Sequence, residues 1–215
     1  MGHWYNPNRS GERSEFPIAN WLPSVSTILD ATRPFDQQQA FKRAALKKPF
    51  EFQQRKDLTS ERGSTFHEWC GAYLKRELLP GVRWNHQGYC TTIKPFLDSV
   101  LALSTAFKSE LAVHHESFAG QVDLMQTVAA DDFLLDFKTK DKPIHPDALH
   151  TAYLQLTGYG EAYSYEFGVR LKSLVVVVVY PTYVQTHKIE PQAFMEEWRN
   201  RRLAYSYAQR QETGN

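Results

Sequence analysis

The chain has little cysteine, no long apolar run and almost no net charge. Its 215 residues include two cysteines, and neither Cys70 nor Cys90 stands in a Cys-x-x-Cys pair, so a four-thiolate zinc or iron–sulfur site is excluded. The longest apolar stretch, from Leu174 to Tyr180, is too short to cross a bilayer. The first residues lack the basic and then apolar layout of a secretory signal. These absences predict a cytoplasmic protein with no membrane contact.

The charge balance also limits the possible partners. A formal net charge of +1 gives no global sign of nucleic-acid binding, so any electropositive surface must be local. With 42% hydrophobic and 23% charged residues, the chain is typical of one globular domain with a sizeable core. We expect an N-terminal arm over residues 1–22, with little regular structure, and a single domain over residues 23–215.

The spacing of apolar residues predicts an α/β fold in which helices flank a central mixed β-sheet. Ser24 is placed to cap a first helix over 25–29. Further helices are predicted near 36–48, 59–79, 92–103 and 147–167, and a terminal helix opens at Pro191. Strands are predicted over 111–113, 122–128, 133–137 and 174–180, the last paired with 183–189.

The first candidate for chemistry is a group of charged residues on two predicted strands. Asp136 and Lys138 are two apart in a strand and therefore project from one face. Composition alone would produce about one such acid-x-Lys triplet, so the bland alternative is a strand end that reaches solvent. Asp123 interrupts the preceding strand, and a short hairpin brings it beside Asp136. Two neighbouring carboxylates repel unless a cation lies between them, and oxygen ligands favour Mg²⁺ or Mn²⁺.

Two helices carry the other candidates. Gly63 and Gly71 lie four residues to either side of His67, so the helix face around the imidazole has no other bulky side chain. This face is expected to approach a sheet or a metal closely. A lone helical histidine is more often structural. Gln155 and Tyr159 also share one helical face, where they would either donate hydrogen bonds to a phosphate and to the lysine or be ordinary exposed and core residues.

In this order and spacing, these residues resemble the RecB-type branch of the PD-(D/E)xK nuclease superfamily. The matching motifs are Gly63 to His67, Gly120-x-x-Asp123, Asp136-Phe137-Lys138-Thr139 and Gln155-x-x-x-Tyr159. Within that branch, the chain looks most like the mitochondrial genome maintenance exonucleases and their bacterial or phage relatives. Further similarities are Pro23 to Leu29, Val113 to Glu116, and Lys142-Pro143. The proline that names the superfamily is absent before Asp123, and the cluster-binding cysteines of the related CRISPR adaptation nucleases are missing as well.

The resemblance implies a restriction-endonuclease-like core and a metal-dependent exonuclease acting on single-stranded DNA in a bacterial or phage-infected cell. It implies that His67, Asp123, Asp136 and the carbonyl of Phe137 hold Mg²⁺ or Mn²⁺, with no iron–sulfur cluster. Lys138 would orient or activate the attacking water, while Gln155 and Tyr159 would support the centre and the DNA. Glu110 and Glu116 would bind a second ion or be surface carboxylates, and we favour the surface alternative. Residues 23–105 would guide DNA, 106–190 form the catalytic sheet core and 191–215 the C-terminal helix.

Basic residues in the N-terminal helical half predict a local track for phosphates. Those expected to bind substrate are Lys47, Lys48, Arg55, Lys56 and Arg62. Phe41, Phe50 and Phe52 lie between them and would stack on unpaired bases or belong to the core.

Two other functions stay open at the level of sequence. A DNA-binding subunit that has lost catalysis would keep the fold, although the intact Asp136 and Lys138 argue against it. A duplex endonuclease would work as a dimer so that two centres cut opposite strands. No dimer surface is legible in the sequence, and we therefore expect a monomer.

Overall fold

The computed structural model describes residues 3–8, 12–16 and 18–213. Its helices are α1 (Val25–Ala31), α2 (Phe35–Lys47), α3 (Pro49–Lys75), α4 (Gln87–Leu103), α5 (His150–Phe167) and α6 (Met195–Thr213). Its strands are β1 (Trp4–Tyr5), β2 (Arg13–Ser14), β3 (Leu22–Pro23), β4 (Ala106–His115), β5 (Phe118–Val128), β6 (Asp131–Thr139), β7 (Ser173–Val179) and β8 (Val184–Ile189). A short 3₁₀ turn, Pro146–Leu149, leads into α5.

The central sheet has five strands in the order β4-β5-β6-β7-β8. Strands β4, β5 and β6 form an antiparallel meander, β7 is parallel to β6, and β8 is antiparallel to β7. Helix α5 makes the crossover that a parallel pair needs. This architecture confirms the predicted α/β class, a mixed central sheet flanked by helices, and it is consistent with a restriction-endonuclease-like core.

Two apolar clusters cover the two faces of this sheet. On one face, α1, α5 and α6 pack around Trp198, which is fully buried. On the other face, α3 and α4 pack around Phe66, Phe137 and Leu97. Strand β7, with its run of valines, contributes to both clusters, as expected for a strand with helices on either side.

The ladder between β4 and β5 is interrupted at Glu110 and Asp123. The pairs on either side of the gap keep the same register, Ser109 with Leu124 and Leu111 with Val122. Val122 belongs to the cluster beneath α5, whereas Leu124, two residues later, belongs to the cluster beneath α3 and α4. On β4, Phe107 packs against the cluster beneath α3 and α4, whereas Leu111 packs against the cluster beneath α5. The side chains of β4 therefore change faces at the same point. Glu110 has a φ of 52°, a left-handed conformation uncommon for a residue with a side chain.

Helix α2 and the first half of α3 form a helical hairpin outside the two clusters. No residue of α2 is buried, and the first buried residue of α3 is Arg62. Phe41 and Phe52 make an edge contact across the hairpin, with 5.0 Å between ring centroids. Phe50 is 79% exposed. The hairpin therefore presents aromatic and basic side chains to solvent.

The N-terminal arm is more regular than its composition predicts. Strand β1 pairs antiparallel with both β2 and β3, which makes a small three-stranded sheet. Ser24, the N-cap of α1, accepts the backbone N–H of Thr27 and forms a bridge with Ala119 of β5. Its own N–H donates to the carbonyl of His3 at 2.7 Å. These bonds fix the described part of the arm against the central sheet.

Three predicted helix starts are wrong. Helix α4 begins at Gln87 rather than near Thr92. Helix α3 begins at Pro49 rather than near Thr59, because Pro49 occupies a first-turn position where its missing N–H costs no hydrogen bond. Helix α6 begins at Met195, after a turn over residues 191–194 that includes the predicted start, Pro191. Among the described residues, no helix is both long and apolar enough to span a membrane.

Candidate active site

A cleft of about 680 Å³ lies where β4 and β5 exchange faces. Its floor is formed by residues of β4 and β5, one wall by α3 and the other by the N-terminal arm, with α5 at the end. The lining residues are His3, Tyr5, Arg13, Ser24, Ser26, Thr59, Ser60, Gly63, Ser64, His67, Glu68, Glu110, Gln121, Asp123, Gln155 and Tyr159.

Three side chains on the cleft floor converge from three elements. His67 of α3, Glu110 of β4 and Asp123 of β5 each offer one ligand atom, and these atoms lie within 4.8 Å of one another. His67 Nδ1 is 3.0 Å from Asp123 Oδ1, and their side chains are 28% and 12% exposed. The left-handed backbone at Glu110 and the gap in the β4–β5 ladder place both carboxylates on the cleft floor. We call this group the triad.

The three groups of the triad shift one another's pKa values. Burial and the charge of Asp123 raise the pKa of Glu110 to about 7. Loss of hydration disfavours the charged forms of His67 and Asp123, but their mutual attraction and hydrogen bond prevail: the pKa of His67 is raised and that of Asp123 is lowered. Two carboxylates and an imidazole, close together and partly buried, form a donor set that suits a divalent cation. The residues present therefore fit a metal ion.

A hydrogen-bonded chain runs beside the triad from β6 to α5. Lys138 Nζ lies 2.9 and 2.8 Å from the two carboxylate oxygens of Asp136 and donates to Gln155 Oε1 at 3.1 Å. Gln155 Nε2 donates to the Tyr159 hydroxyl at 2.7 Å. Burial lowers the pKa of Lys138, but the carboxylates of Asp136 and Asp123 more than offset this and leave it raised. Lys138 is therefore a protonated cation.

Asp136 faces Lys138 and is not part of the triad. Its side chain is 3% exposed, and burial together with the charge of Asp123 raises its pKa despite the lysine. The β5–β6 ladder ends at Leu124 and Leu135, one step before Asp123 and Asp136. Asp123 Oδ2 accepts the N–H of Phe137 at 2.6 Å and so bridges the strands where they separate. The predicted metal ligation by Asp136 and by the Phe137 carbonyl stays a prediction.

The close packing against a sheet, one of the two explanations predicted for the glycines around His67, does not occur. A Cβ at Gly63 would meet no atom within 4 Å, and one at Gly71 would only make ordinary contact with Glu110 at 3.9 Å. Gly63 leaves open space in the cleft instead of allowing close packing. The tight glycine is Gly120, where a Cβ would lie 2.3 Å from Cε1 of Tyr159. Gly120 thus lets the tyrosine ring lie directly against β5.

The predicted substrate-binding cations fall into two groups. Arg62 is buried: it donates to Asp141, to Tyr89 at 3.2 Å and to Thr139 at 3.1 Å, and thereby links α3 to the end of β6. We do not include Arg62 among the proposed substrate contacts. The others are exposed on the helical hairpin, and one of them forms an ion pair, Lys48 with Glu51 at 2.8 Å. These are Lys47, Lys48, Arg55 and Lys56.

Sequence reasoning gave Glu110 too little weight and missed the contribution of the arm. Glu110 was favoured as a surface carboxylate, yet it lies in the triad. An acid followed by the apolar run Leu111-Ala112-Val113 was the available signal. His3, Tyr5 and Arg13 line the cleft although more than fifty residues separate each of them from His67. No local pattern in the sequence predicts that contact.

Comparison with known proteins gives structural neighbours, and two of them are distant in sequence. No family model matches the chain, and no curated protein matches it. The structure of SSO0001 aligns at 10% identity with a TM-score of 0.34, over 52% of this chain and 55% of the neighbour, so the match spans about half of that protein. A phage-related exonuclease from Haemophilus somnus 129PT aligns at 13% identity with a TM-score of 0.37, over 66% of this chain and 78% of the neighbour. The function proposed below rests on the residues of the site.

Proposed function

We propose that this protein is a metal-dependent nuclease that hydrolyses phosphodiester bonds in DNA. The observation that carries the proposal is the triad, with its ligand atoms within 4.8 Å, beside a buried Asp136–Lys138 pair. Carboxylates and an imidazole in an open cleft, with a protonated lysine beside them, suit a reaction whose substrate and transition state are both anionic.

His67, Glu110 and Asp123 are the residues that would hold Mg²⁺ or Mn²⁺. When bound, such an ion lowers the pKa of a coordinated water and offsets the charge that builds on the phosphate. Asp123 also holds the backbone of Phe137 through its second oxygen. The position of Asp123 is thus fixed without the ion, and the same carboxylate ties the triad to β6.

Lys138 supplies the second cation of the proposed centre. Because its pKa is raised, we assign it to orienting the attacking water and stabilising negative charge on the phosphate rather than to removing a proton. Asp136 and Gln155 hold its ammonium group. Tyr159 fixes the amide of Gln155, and neither residue needs to touch the reacting atoms for this role.

We further propose a preference for single-stranded DNA with free ends, in replication, recombination or repair, by a monomer. The helical hairpin supports this part of the proposal, since exposed Phe50 lies among the exposed Lys47, Lys48, Arg55 and Lys56. Aromatic faces stack on unpaired bases, and the cations neutralise phosphates. The assignment of residues 23–215 to one nuclease domain also stays a prediction.

One experiment tests the reaction and the substrate together. Purified protein is incubated with end-labelled linear single strands, duplex and circular single strands, in Mg²⁺, Mn²⁺ or chelator. Asp123→Asn is the matched variant, because it keeps the shape of the side chain and removes its charge. We expect linear single strands to be lost only with metal, circles to be spared and the variant to be inactive.

The other outcomes discriminate between the remaining functions. Cleavage of circles or duplex would replace the exonuclease with an endonuclease. DNA binding without cleavage under any metal would favour a subunit that has lost catalysis. Cleavage that persists in chelator, or in Asp123→Asn, would refute the role of the triad.

A further inference from the structure

The N-terminal arm forms one wall of the proposed catalytic cleft. Tyr5 and Arg13 are directly paired across β1 and β2, so their side chains lie on the same face of the small sheet. Both line the cleft, as does His3. Ser24, which follows the arm, forms a bridge with Ala119 of β5. The arm itself contacts β5 through Arg13, whose Nη1 donates to Gln121 Oε1 at 3.0 Å. Gly63 and Ser64 of α3 line the same cleft.

Lysine and arginine are scarce on the described lining of the cleft. Among the described lining residues, Glu68, Glu110 and Asp123 are carboxylates, and Arg13 is the single lysine or arginine. A divalent cation would offset part of this negative charge, so an entering phosphodiester needs further positive charge close to the cleft. Lys138 lies beside the triad and supplies charge from β6. Arg13 supplies it from the N-terminal arm, where its side chain is exposed to solvent.

The guanidinium of Arg13 is aligned by a chain that ends on the triad. Gln121 accepts from Arg13 through Oε1 and donates through Nε2 to Glu110 Oε2. Because an amide has one oxygen and one nitrogen end, the two bonds fix its orientation. The bonds to Gln121 and to the Tyr5 hydroxyl leave further Arg13 donors available, since a guanidinium carries five N–H groups. Those donors are suited to the paired oxygens of a phosphate.

We propose that Arg13 binds a backbone phosphate of the substrate strand beside the metal centre, and that Gln121 is the positioning residue that aligns it. The inference rests on the proposed nuclease function. It makes the arm part of the active site rather than a tether. The contact is to the phosphate and carries no base preference, so it raises affinity for any sequence.

The test compares Arg13→Gln and Arg13→Lys with Arg170→Gln, which makes the same charge change at an exposed site outside the cleft. Binding of a fluorescein-labelled oligothymidylate is measured by anisotropy against KCl concentration. All binding variants carry Lys138→Ala and are measured in Mg²⁺, so that the strand is not consumed. Steady-state cleavage is measured in the same substitutions with Lys138 present.

We expect Arg13→Gln to weaken binding about tenfold at low salt and to lower the slope of log affinity against log salt by about 0.7, the loss of one phosphate contact on a single strand. KM should rise by a similar factor while kcat changes less. Arg13→Lys should restore the slope and part of the affinity. A merely structural role for Arg13 would not move the salt slope.

Two failures are distinguishable. If the unsubstituted protein cleaves DNA but Arg13→Gln binds with unchanged affinity and slope, or no differently from Arg170→Gln, the inference is overturned and the nuclease proposal stands. If the unsubstituted protein neither binds nor cleaves DNA, the proposed function falls and the inference with it. A melting temperature equal to that of the unsubstituted protein confirms that Arg13→Gln is folded.

Discussion

Replacing Glu110 with glutamine should make the metal-free protein more stable and remove its thermal response to metal. The carboxylate of Glu110 lies beside Asp123, accepts a hydrogen bond from Gln121, and sits on a left-handed backbone. When Glu110 is ionised, the fold therefore holds its charge close to that of Asp123, and the nearby cations do not fully offset the cost. Glutamine removes that charge and keeps the size of the side chain.

The magnitude follows from the pKa of Glu110, which burial and Asp123 raise from 4.5 to about 7. Because the folded pKa is the higher one, the fold prefers the protonated acid. The cost is absent below pH 4.5, grows as the pH rises and is complete above about pH 7. At about 1.4 kcal/mol per pKa unit this gives at most about 3–4 kcal/mol, and partial solvent contact reduces it to about 1–3 kcal/mol. For a chain of this length, that corresponds to a rise in melting temperature of about 2–10 °C.

Differential scanning fluorimetry in chelator, from about pH 5 to about pH 8, measures this directly. Glu110→Gln should melt higher than the unsubstituted protein at the alkaline end, and the difference should disappear at the acidic end. Added Mn²⁺ should raise the melting temperature of the unsubstituted protein and leave the variant almost unchanged. Glu116→Gln is the matched control, because Glu116 is an exposed carboxylate on the turn after β4.

Equal melting temperatures at about pH 8, or a variant that still responds fully to Mn²⁺, would refute the reasoning. The first result would mean that Glu110 is solvated and carries no electrostatic cost. The second would mean that His67 and Asp123 hold the ion without it. A gain in stability shared by Glu116→Gln would point to the net charge of the chain rather than to the triad.

Three further predictions concern the lysine, the tight glycine and the helical hairpin. Lys138→Ala should lower kcat at least a hundredfold with DNA affinity within a few-fold, as measured by single-turnover cleavage and anisotropy; retained turnover would remove Lys138 from the mechanism. Gly120→Ala should lower the free energy of unfolding by about 1–3 kcal/mol in urea, because its Cβ would overlap Tyr159, whereas Gly63→Ala should not destabilise. Phe50→Ala should weaken single-strand binding about fivefold or more and duplex binding less; equal losses would argue against base stacking.

Much of the fold was predictable because its chemistry follows local periodicity. The two-residue spacing of Asp136 and Lys138 placed them on one face of β6, and the four-residue spacing of Gln155 and Tyr159 placed them on one face of α5. Both pairs are joined by hydrogen bonds in the structure. The meander and the buried valine strand followed from the same kind of pattern.

The parts that escaped prediction depend on long-range contacts or on irregular backbone. Glu110 reaches the triad because its own backbone is left-handed within β4, and the alternation of side chains along a strand does not predict that conformation. Arg13 meets Gln121 across 108 residues of sequence. Arg62 belonged to a run of cations, but burial and the contacts to Asp141 and Tyr89 decide its role, and neither is visible in composition.

At Glu110 and Asp123, the apolar side chains of β4 and β5 change from one face of the sheet to the other. Without these two residues, Ser109 would precede Leu111 and Val122 would precede Leu124, and apolar side chains would alternate regularly along both strands. The two carboxylates are therefore equivalent to one facing pair of residues inserted into an ordinary hairpin. Removing both residues would leave an unbroken ladder. Removing one would shift, by one residue, all the pairs that lie on the far side of the gap from the turn. Insertion or deletion of these residues can thus leave the register of the hairpin intact only when both change together.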